Sequence, residues 1–330
     1  MDAKLLLRQF GKPFKNTASG ILLVLVSLLV SSSGFVQFND VKKEKVILHK
    51  NESKPRMFLI AVIDSDDDSI GRRCQQDLEE ITFSFEDLAD WLDVEMKEPK
   101  IIQGSQFSKA AVNSAIDNWL RSQRPAKTDL VVFYYSGHGF RYLNDDSDYP
   151  RMWLKTATDR NPETTNLRIE EDIYDRIVKM GAGVNIVLSD CCNTTVTGDV
   201  AYFDKISIPA RTRTTHKRDR SKKGDPEDDT DNGDKLFIRD QPLSILATAA
   251  AKDEFAGGKS EIGGLFTYYL LEALENCVYD SKLEPSWENI FKYADENAGY
   301  WAKSAACPNA KHNGQGRCVQ TATFKIVGAD

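Results

Sequence analysis

The stretch Asp129-Leu-Val-Val-Phe-Tyr-Tyr135 is apolar after its first residue, and it leads directly into Ser136-Gly-His-Gly139. A continuous apolar run of this length is typical of a strand buried on both faces, as in a parallel sheet. A second such run, Val184-Asn-Ile-Val-Leu-Ser189, leads into Asp190-Cys-Cys-Asn-Thr194. In open α/β sheets the active crevice lies at the carboxyl ends of the strands. The sequence therefore predicts a histidine and a cysteine at one crevice.

Strands and helices alternate outward from these two runs. Between residues 70 and 92, for example, Leu78, Ile81 and Phe85 recur at helical spacing. Strands separated by helices imply a parallel or mostly parallel sheet covered on both faces, so the predicted fold class is α/β. The predicted strands cover residues 57–63, 100–102, 129–135, 184–189, 243–248 and 319–327, and the predicted helices cover residues 70–92, 110–120, 169–180, 264–277 and 287–301.

The composition excludes several classes of protein. The chain has 330 residues, of which 41% are hydrophobic, and only six of them are cysteines. These values exclude a wholly disordered, a collagen-like or a disulfide-knot protein. The net charge of −7 argues against a general nucleic-acid binder, so no nucleic acid is expected among the partners.

The first 34 residues have the order of a secretory signal peptide. Four basic residues precede the apolar run Ile21–Val30, and small residues follow it at 31–34. An uncleaved membrane anchor and a buried helix are the alternatives for this segment. The prediction is an exported protein that is secreted, periplasmic or anchored on the outer side, in contact with a membrane only through this segment. Residues 35–55 are polar and end at a proline, which predicts a linker.

Two cysteines near the carboxyl terminus flank a loop rich in glycine and asparagine. In an oxidising compartment, a disulfide between Cys307 and Cys318 would close this loop. Two unpaired thiols fit the same pattern.

The two strand ends together describe a nucleophile and its base. His138 alone or Cys192 alone would more often be structural, but each follows a buried strand. Because side chains alternate along an extended segment, Ser136 should lie beside His138 and Asp190 beside Cys192. A carboxylate beside a thiol disfavours the thiolate, so Asp190 is better suited to bind a cation on the substrate.

These motifs resemble those of a known peptidase family. Ser136-Gly-His-Gly139 and Asp190-Cys-Cys192, with 54 residues from His138 to Cys192, resemble the catalytic pair of the caspase-like cysteine peptidases, and most closely that of the metacaspases. The segments at 245–254 and 264–274 are similar to the first strand and the following helix of the family's small subunit.

The resemblance covers residues 56–330 and implies an organisation for them. We expect the caspase-like three-layer sandwich, in which a mostly parallel central sheet has helices on both faces. A large-subunit-like part would span 56–204, a flexible cleavable linker 205–235, and a small-subunit-like part 236–330.

The resemblance also implies cysteine endopeptidase activity on protein or peptide substrates. Cys192 would attack the scissile carbonyl, and His138 would take and return the proton. The backbone N–H groups of Gly139 and Cys192 would form the oxyanion hole. No cofactor is required for this chemistry.

The family's specificity pocket can be carried over in the same way. Asp190 stands two residues before the nucleophile, as in metacaspases, whose pocket selects Arg or Lys. Cys74-Gln-Gln-Asp77 resembles the family's Cys-x-x-Asp segment. Asp77, Cys74 and Ser136 would therefore join Asp190 in substrate binding, although a surface acid on a helix is the alternative for Asp77.

Some residues depart from the family pattern. The family usually follows its cysteine with His-Ser-Gly, whereas Asn193-Thr-Thr195 stands here. Cys191 should point to the face opposite Cys192, and it is given no catalytic role.

Calcium is needed by many metacaspases, which bind it through clustered acids. Either a calcium site or an ordinary solvated acidic loop fits the acids available here, and Trp153 stands where the family often has an acid. The acids are Asp145, Asp146, Asp148, Glu170, Glu171 and Asp172.

The predicted linker has a basic block followed by an acidic one. With no apolar residue from Arg211 to Lys235, it should be disordered or mobile. Its bases suit the predicted pocket, so we expect self-cleavage after one or more of them. The candidates are Arg211, Arg213, Lys217, Arg218, Arg220, Lys222 and Lys223.

Two other functions remain as alternatives. One is a non-catalytic caspase-like binding module, against which both filled catalytic positions argue. The other is a peptidase specific for Asp or Asn, against which charge repulsion by the acidic pocket argues.

Overall fold

The computed structural model describes residues 54–195, 231–279, 283–305 and 318–328, and the description below is of these residues. The strands are β1 (Arg56–Ile63), β2 (Glu95–Met96), β3 (Lys100–Gln103), β4 (Leu130–Ser136), β5 (Gly139–Phe140), β6 (Arg151–Trp153), β7 (Asn166–Arg168), β8 (Val184–Asp190), β9 (Leu243–Thr248), β10 (Gly258–Lys259), β11 (Gly263–Gly264) and β12 (Thr323–Val327). The α-helices are α1 (Gly71–Leu92), α2 (Lys109–Ser114), α3 (Arg121–Gln123), α4 (Asp175–Val178), α5 (Asp231–Phe237), α6 (Leu265–Val278) and α7 (Trp287–Ala302).

Three further helical segments connect these elements. A wider π-helical segment, Ala115–Leu120, joins α2 to α3, and another, Ile169–Tyr174, leads into α4. A 3₁₀ turn, Gly104–Gln106, follows β3.

Seven strands form the central sheet. Its order is β12-β9-β8-β4-β1-β2. Strand β3 also pairs with β1, at residues 60–63, whereas β2 pairs with β1 at residues 56–57. Every pairing is parallel except that of β12 with β9, which is antiparallel. Two small antiparallel sheets, β5-β6-β7 and β10-β11, lie apart from the central sheet.

Both faces of the central sheet are covered by helices. Along β1, Leu59 and Ala61 belong to one apolar core, and Ile60 and Val62 belong to the other. The first core contains residues of α1, α6 and α7, and the second contains residues of α2 and α4. Burial on both faces explains why the strand sequences are continuously apolar. The α/β three-layer sandwich with a mostly parallel sheet is therefore confirmed.

The predicted last strand, 319–327, begins too early. The backbone N–H groups of Thr321 and Ala322 donate to the side chains of Glu254 and Asp295, both at 2.6 Å. Because these donors bond to side chains, they do not join the ladder, and β12 begins at Thr323.

The predicted mobile linker extends too far. Its last residues begin α5, in which Asn232 Nδ2 donates to the carbonyl O of Cys277 at 3.1 Å. Leu236 and Phe237 are each 1% exposed, so the helix is held by apolar residues just beyond the polar stretch. The predicted linker therefore ends before α5.

Other predictions concern residues outside the described ranges. They include the signal peptide or anchor at 1–34, residues 35–53 of the linker predicted at 35–55, and all seven self-cleavage candidates. Cys318 is buried, but Cys307 lies outside the described ranges, so their disulfide stays a prediction. None of the helices in the described residues is long and apolar enough to span a membrane.

Candidate active site

The strand register brings the predicted catalytic residues to one edge of the sheet. Ile63, Ser136 and Asp190 are paired across β1, β4 and β8, so these three strands end at the same level. His138 lies two residues after the end of β4, and Cys192 lies two residues after the end of β8. They are buried, with exposures of 5% and 3%.

The segments that follow β4 and β8 run side by side. Gly137 N donates to the carbonyl O of Asp190 at 3.4 Å, and Arg141 N donates to that of Thr194 at 2.9 Å. Between them, a Cβ on Gly139 would lie 2.2 Å from the carbonyl O of Cys192. Only glycine permits this approach, which sets the histidine segment against the cysteine backbone.

The two adjacent cysteines have different environments. Ala256 N donates to Cys192 Sγ at 3.3 Å, and Cys192 belongs to the core on the α1 side of the sheet. Cys191 belongs to the opposite core, where its Sγ donates to Ser189 Oγ at 3.7 Å. Burial raises the pKa of Cys191 well above its usual value. Cys191 is therefore a buried neutral thiol on the other face.

Asn193, the first departure from the family pattern, has a structural role. Its side chain is fully buried, and Nδ2 donates to the carbonyl O of Asp148 at 2.8 Å and of Ala250 at 3.3 Å. Thr195 Oγ1 donates to Asp253 Oδ1 at 2.6 Å. The altered residues thus fix the loop after β9, which brings Ala256 to Cys192.

His138 lies between an aromatic ring and a carboxylate. Its Nε2 is 3.3 Å from Asp67 Oδ2, and its ring centroid is 6.0 Å from that of Trp153. Burial lowers the pKa of His138, and the contact with Asp67 opposes that shift. The net direction is downward, so the imidazole is neutral and able to accept a proton at neutral pH.

The predicted specificity residues form one buried cluster. Ser136 Oγ donates to Asp77 Oδ2 at 2.6 Å, and Gly264 N donates to Asp77 Oδ1 at 2.7 Å. Thr267 donates to Asp190 Oδ2 from its N at 3.0 Å and from its Oγ1 at 2.9 Å. Burial raises the pKa of both aspartates. The structure therefore brings Asp77, Ser136 and Asp190 together, with no exposure of any of them.

A basic residue of α1 shares this cluster. Arg73 is 3% exposed, and its Nη1 donates to the carbonyl O of Ala256 at 3.4 Å. Burial alone would lower the pKa of Arg73, but Asp190 and then Asp77 raise it above its usual value. Cys74 is fully buried beside them, and burial raises the pKa of its thiol to about 12. The buried aspartates therefore have an internal counter-ion.

Most of the acids considered for calcium are bound to other groups. Arg151 Nη2 donates to Asp145 Oδ1 at 2.5 Å, and Ser147 Oγ donates to Glu170 Oε2 at 2.6 Å. Glu171 and Asp172 accept from the side chain and the backbone N of Arg168, at 2.9 Å and 2.8 Å. Trp153 lies in the active site instead. The calcium prediction, which also includes Asp146 and Asp148, stays a prediction.

Within the described residues, three side chains of metal-ligating type lie close together. Ligand atoms of Asp64, Asp67 and His138 all lie within 4.8 Å of one another. Lys155 Nζ forms an ion pair with Asp67, so a positive charge is already present beside this group. A cavity of about 530 Å³ opens there, lined by Asp66, Lys155 and other residues of both charges.

Two residues of the candidate site are not identified by the sequence analysis. Asp67 lies in the acidic run Ser65-Asp-Asp-Asp68 at the carboxyl end of β1, which is where catalytic groups gather in such sheets. Arg73 precedes Asp77 by four residues on a helix, a spacing at which opposite charges meet. Both signals were present in the sequence.

The comparisons decide the family. A family model described as the caspase domain matches residues 67–297. The chain belongs to the caspase-domain family. Members of this family are cysteine peptidases. No curated protein matches the sequence of this caspase-domain protein.

Two solved structures are similar to the caspase-domain protein. A structural-genomics target from Geobacter sulfurreducens is 17% identical, with a TM-score of 0.44 over 84% of this chain and 95% of that chain. Caspase-1 from Spodoptera frugiperda is 10% identical, with a TM-score of 0.45 over 82% of this chain and 88% of that chain.

Proposed function

We propose that the protein is a cysteine endopeptidase that uses Cys192 as nucleophile and His138 as general base. The observation that carries the proposal is the pairing of β4 with β8, which sets the two residues on adjacent, hydrogen-bonded segments. The family match supports the same reaction class.

The reaction follows from the chemistry of these groups. Neutral His138 takes the thiol proton, and the Cys192 sulfur attacks the scissile carbonyl carbon. The backbone N–H groups of Gly139 and Cys192 stabilise the oxyanion. His138 returns the proton to the leaving amine, and water then hydrolyses the thioester, which releases the acid and restores the thiol. No step uses a cofactor.

We propose cleavage after Arg or Lys. Asp77, Ser136 and Asp190 cluster at the ends of the strands that deliver the catalytic residues, and carboxylates bind a cationic side chain by charge-assisted hydrogen bonds. A substrate cation would compete with Arg73 for these acids. Binding of the substrate side chain would therefore weaken the electrostatic attraction between Arg73 and Asp190.

The buried Arg73 also favours a second candidate specificity. Its guanidinium supplies positive charge to the acidic cluster, which weakens the charge repulsion that argues against Asp or Asn as the residue before the scissile bond. The second candidate is therefore the same peptidase with specificity for Asp or Asn.

We further propose self-processing after one or more basic residues between Arg211 and Lys223. This segment follows the nucleophile strand in sequence and precedes α5, which packs on α1 and α6. Its bases match the first candidate specificity.

A panel of four fluorogenic peptides, differing only in Arg, Lys, Asp or Asn before the scissile bond, tests the proposal. We expect the wild type to cleave the Arg and Lys peptides and Cys192→Ala to cleave none. Preference for Asp or Asn would select the second candidate, and cleavage of no peptide would select the binding module.

Self-processing is tested separately, by the intact masses of the wild type and Cys192→Ala. They should show cuts after residues 211–223 in the wild type alone. Equal cutting of the variant would contradict self-processing.

A further inference from the structure

A carboxylate from the loop after β1 lies against the catalytic histidine. Asp67 Oδ2 is 3.3 Å from His138 Nε2, and the two side chains are 11% and 6% exposed. We propose that Asp67 is a positioning residue that fixes the orientation and tautomer of His138. This proposal rests on the proposed dyad, which it extends to a Cys–His–Asp arrangement.

The carboxylate of Asp67 is held in place by the start of α1. Its Oδ1 accepts from Ser69 N at 2.9 Å, from Ile70 N at 3.0 Å and from the Ser69 hydroxyl. Gly71 N, at the first residue of the helix, donates to the Asp67 carbonyl O at 2.8 Å. Because Oδ1 is fixed by these donors, Oδ2 is aimed at His138. An acid on a freely rotating side chain would not hold the imidazole in this way.

The charges around the pair favour one protonation state. Burial alone would raise the pKa of Asp67, but hydrogen bonds from His138, Lys155 and Ser69 hold it well below its usual value. The ion pair with Lys155 makes Asp67 an anionic partner for the imidazole. An anionic acceptor at Nε2 requires the proton of neutral His138 to lie on Nε2. Nδ1 is then the nitrogen left to accept the thiol proton.

Lys155 also holds the carboxylate of Asp67. Its Nζ pairs with Asp67 Oδ2 and lies 5.2 Å from the centroid of the Trp153 ring. His138 is thus faced by Asp67 and Lys155, and at longer range by Arg73. Only the first of these accepts a hydrogen bond, so it alone can select the tautomer.

The variant Asp67→Asn separates positioning from folding. Its Oδ1 can still accept from Ser69 and Ile70, but its Nδ2 would face His138 as a donor. The donor favours the tautomer with the proton on Nδ1, which cannot accept from Cys192. We expect kcat to fall about 100-fold or more while KM changes little. Asp68→Asn, a change at the exposed neighbouring position, should keep wild-type kinetics.

Two readouts exclude a merely structural role. Loss of the anion should lower the pKa of His138, which moves the acid limb of kcat/KM to lower pH. Imidazole ¹⁵N shifts, assigned to His138 with a His138→Gln variant, should report Nε2–H in the wild type and Nδ1–H in Asp67→Asn. The NMR arm needs no peptidase activity, so a wild type that cleaves nothing would refute the dyad without deciding the Asp67 contact. Unchanged kcat, or reduced kcat with an unchanged tautomer, overturns the proposal.

Discussion

Helix α1 carries a buried cation, Arg73, one turn before a buried acid, Asp77, and both lie in the cluster proposed to set specificity. Arg73 adds a positive charge to a site that also contains Asp77 and Asp190. A buried charge without a partner is strongly unfavourable, so each member of this group depends on the others. The proposed substrate preference should therefore depend on Arg73, although Arg73 stands outside the Cys74-Gln-Gln-Asp77 segment.

Replacing Arg73 with methionine tests this dependence. The variant retains an apolar side chain but removes the counter-ion, which leaves the acids available to a substrate cation. We expect the ratio of kcat/KM for an Arg peptide to that for an Asn peptide to rise about tenfold or more, which is about 1.4 kcal/mol. Unfolding in urea should show a loss of stability of about 3–5 kcal/mol, as for a broken buried ion pair.

Arg72→Met is the matched control, because Arg72 is exposed on the same helix. It should change neither the peptide ratio nor the unfolding midpoint. A ratio that stays the same in Arg73→Met would show that Arg73 does not govern specificity.

At the scale of the element, sequence predicted regular segments better than irregular ones. The strand predicted at 184–189 and the helix predicted at 287–301 each fall one residue short of β8 and α7. Periodicity identifies such elements because burial is repeated along them. The short strands β5, β6 and β7 are set instead by long-range pairing, as where Trp153 N donates to the carbonyl O of His138 at 2.9 Å. No local pattern of three residues carries that information.

Helix α5 is a second element whose stability does not follow from its local sequence. The sequence predicts a mobile linker up to residue 235 because the first residues of this helix are polar, yet Phe237 contacts Trp287 edge to face with ring centroids 5.2 Å apart. Trp287 Nε1 also donates to the carbonyl O of Leu236 at 3.3 Å. The stability of this helix comes from tertiary contacts at its end rather than from its own sequence.

A pair of adjacent substitutions tests the docking of α5. Phe237→Ala removes a ring that is 1% exposed, so we expect the free energy of unfolding in urea to fall by about 3–5 kcal/mol. Ile238→Ala changes a side chain that is 42% exposed and should alter it by about 0.5 kcal/mol or less. Equal effects of the two substitutions would mean that α5 is not docked as described.

At the scale of the whole molecule, the fold class could be predicted because strands separated by helices imply a mostly parallel sheet with helices on both faces. The positions of His138 and Cys192 followed from the same rule, since strand ends meet at one edge of a parallel sheet. The electrostatics of the site could not be predicted in this way. The contacts of Asp67 and Arg73 depend on how α1 packs against the sheet, which the pattern of apolar residues does not specify.

One of the acids at that edge, Asp64, makes the free energy of unfolding depend on pH. Burial raises the pKa of Asp64 to about 7 from its ordinary value of 3.8, and attraction to Lys155 only partly opposes this. Its Oδ2 is buried without a hydrogen-bond partner. Between about pH 4 and pH 7 the folded state therefore keeps a proton that the unfolded chain has lost. Since the folded state binds more protons, the contribution of Asp64 to stability falls as the pH rises through this window.

Asp64→Asn removes this titration while keeping the size of the side chain. We expect the variant to gain about 2–4 kcal/mol in the free energy of unfolding over the wild type at pH 8, and to match it closely at pH 4. Urea unfolding at the two pH values, followed by tryptophan fluorescence, measures the difference. Asp68→Asn, at an exposed position, should differ from the wild type by the same amount at both pH values. A gain in Asp64→Asn that is equal at pH 4 and pH 8 would contradict the expectation, because it would owe nothing to the proton that Asp64 retains in the folded state.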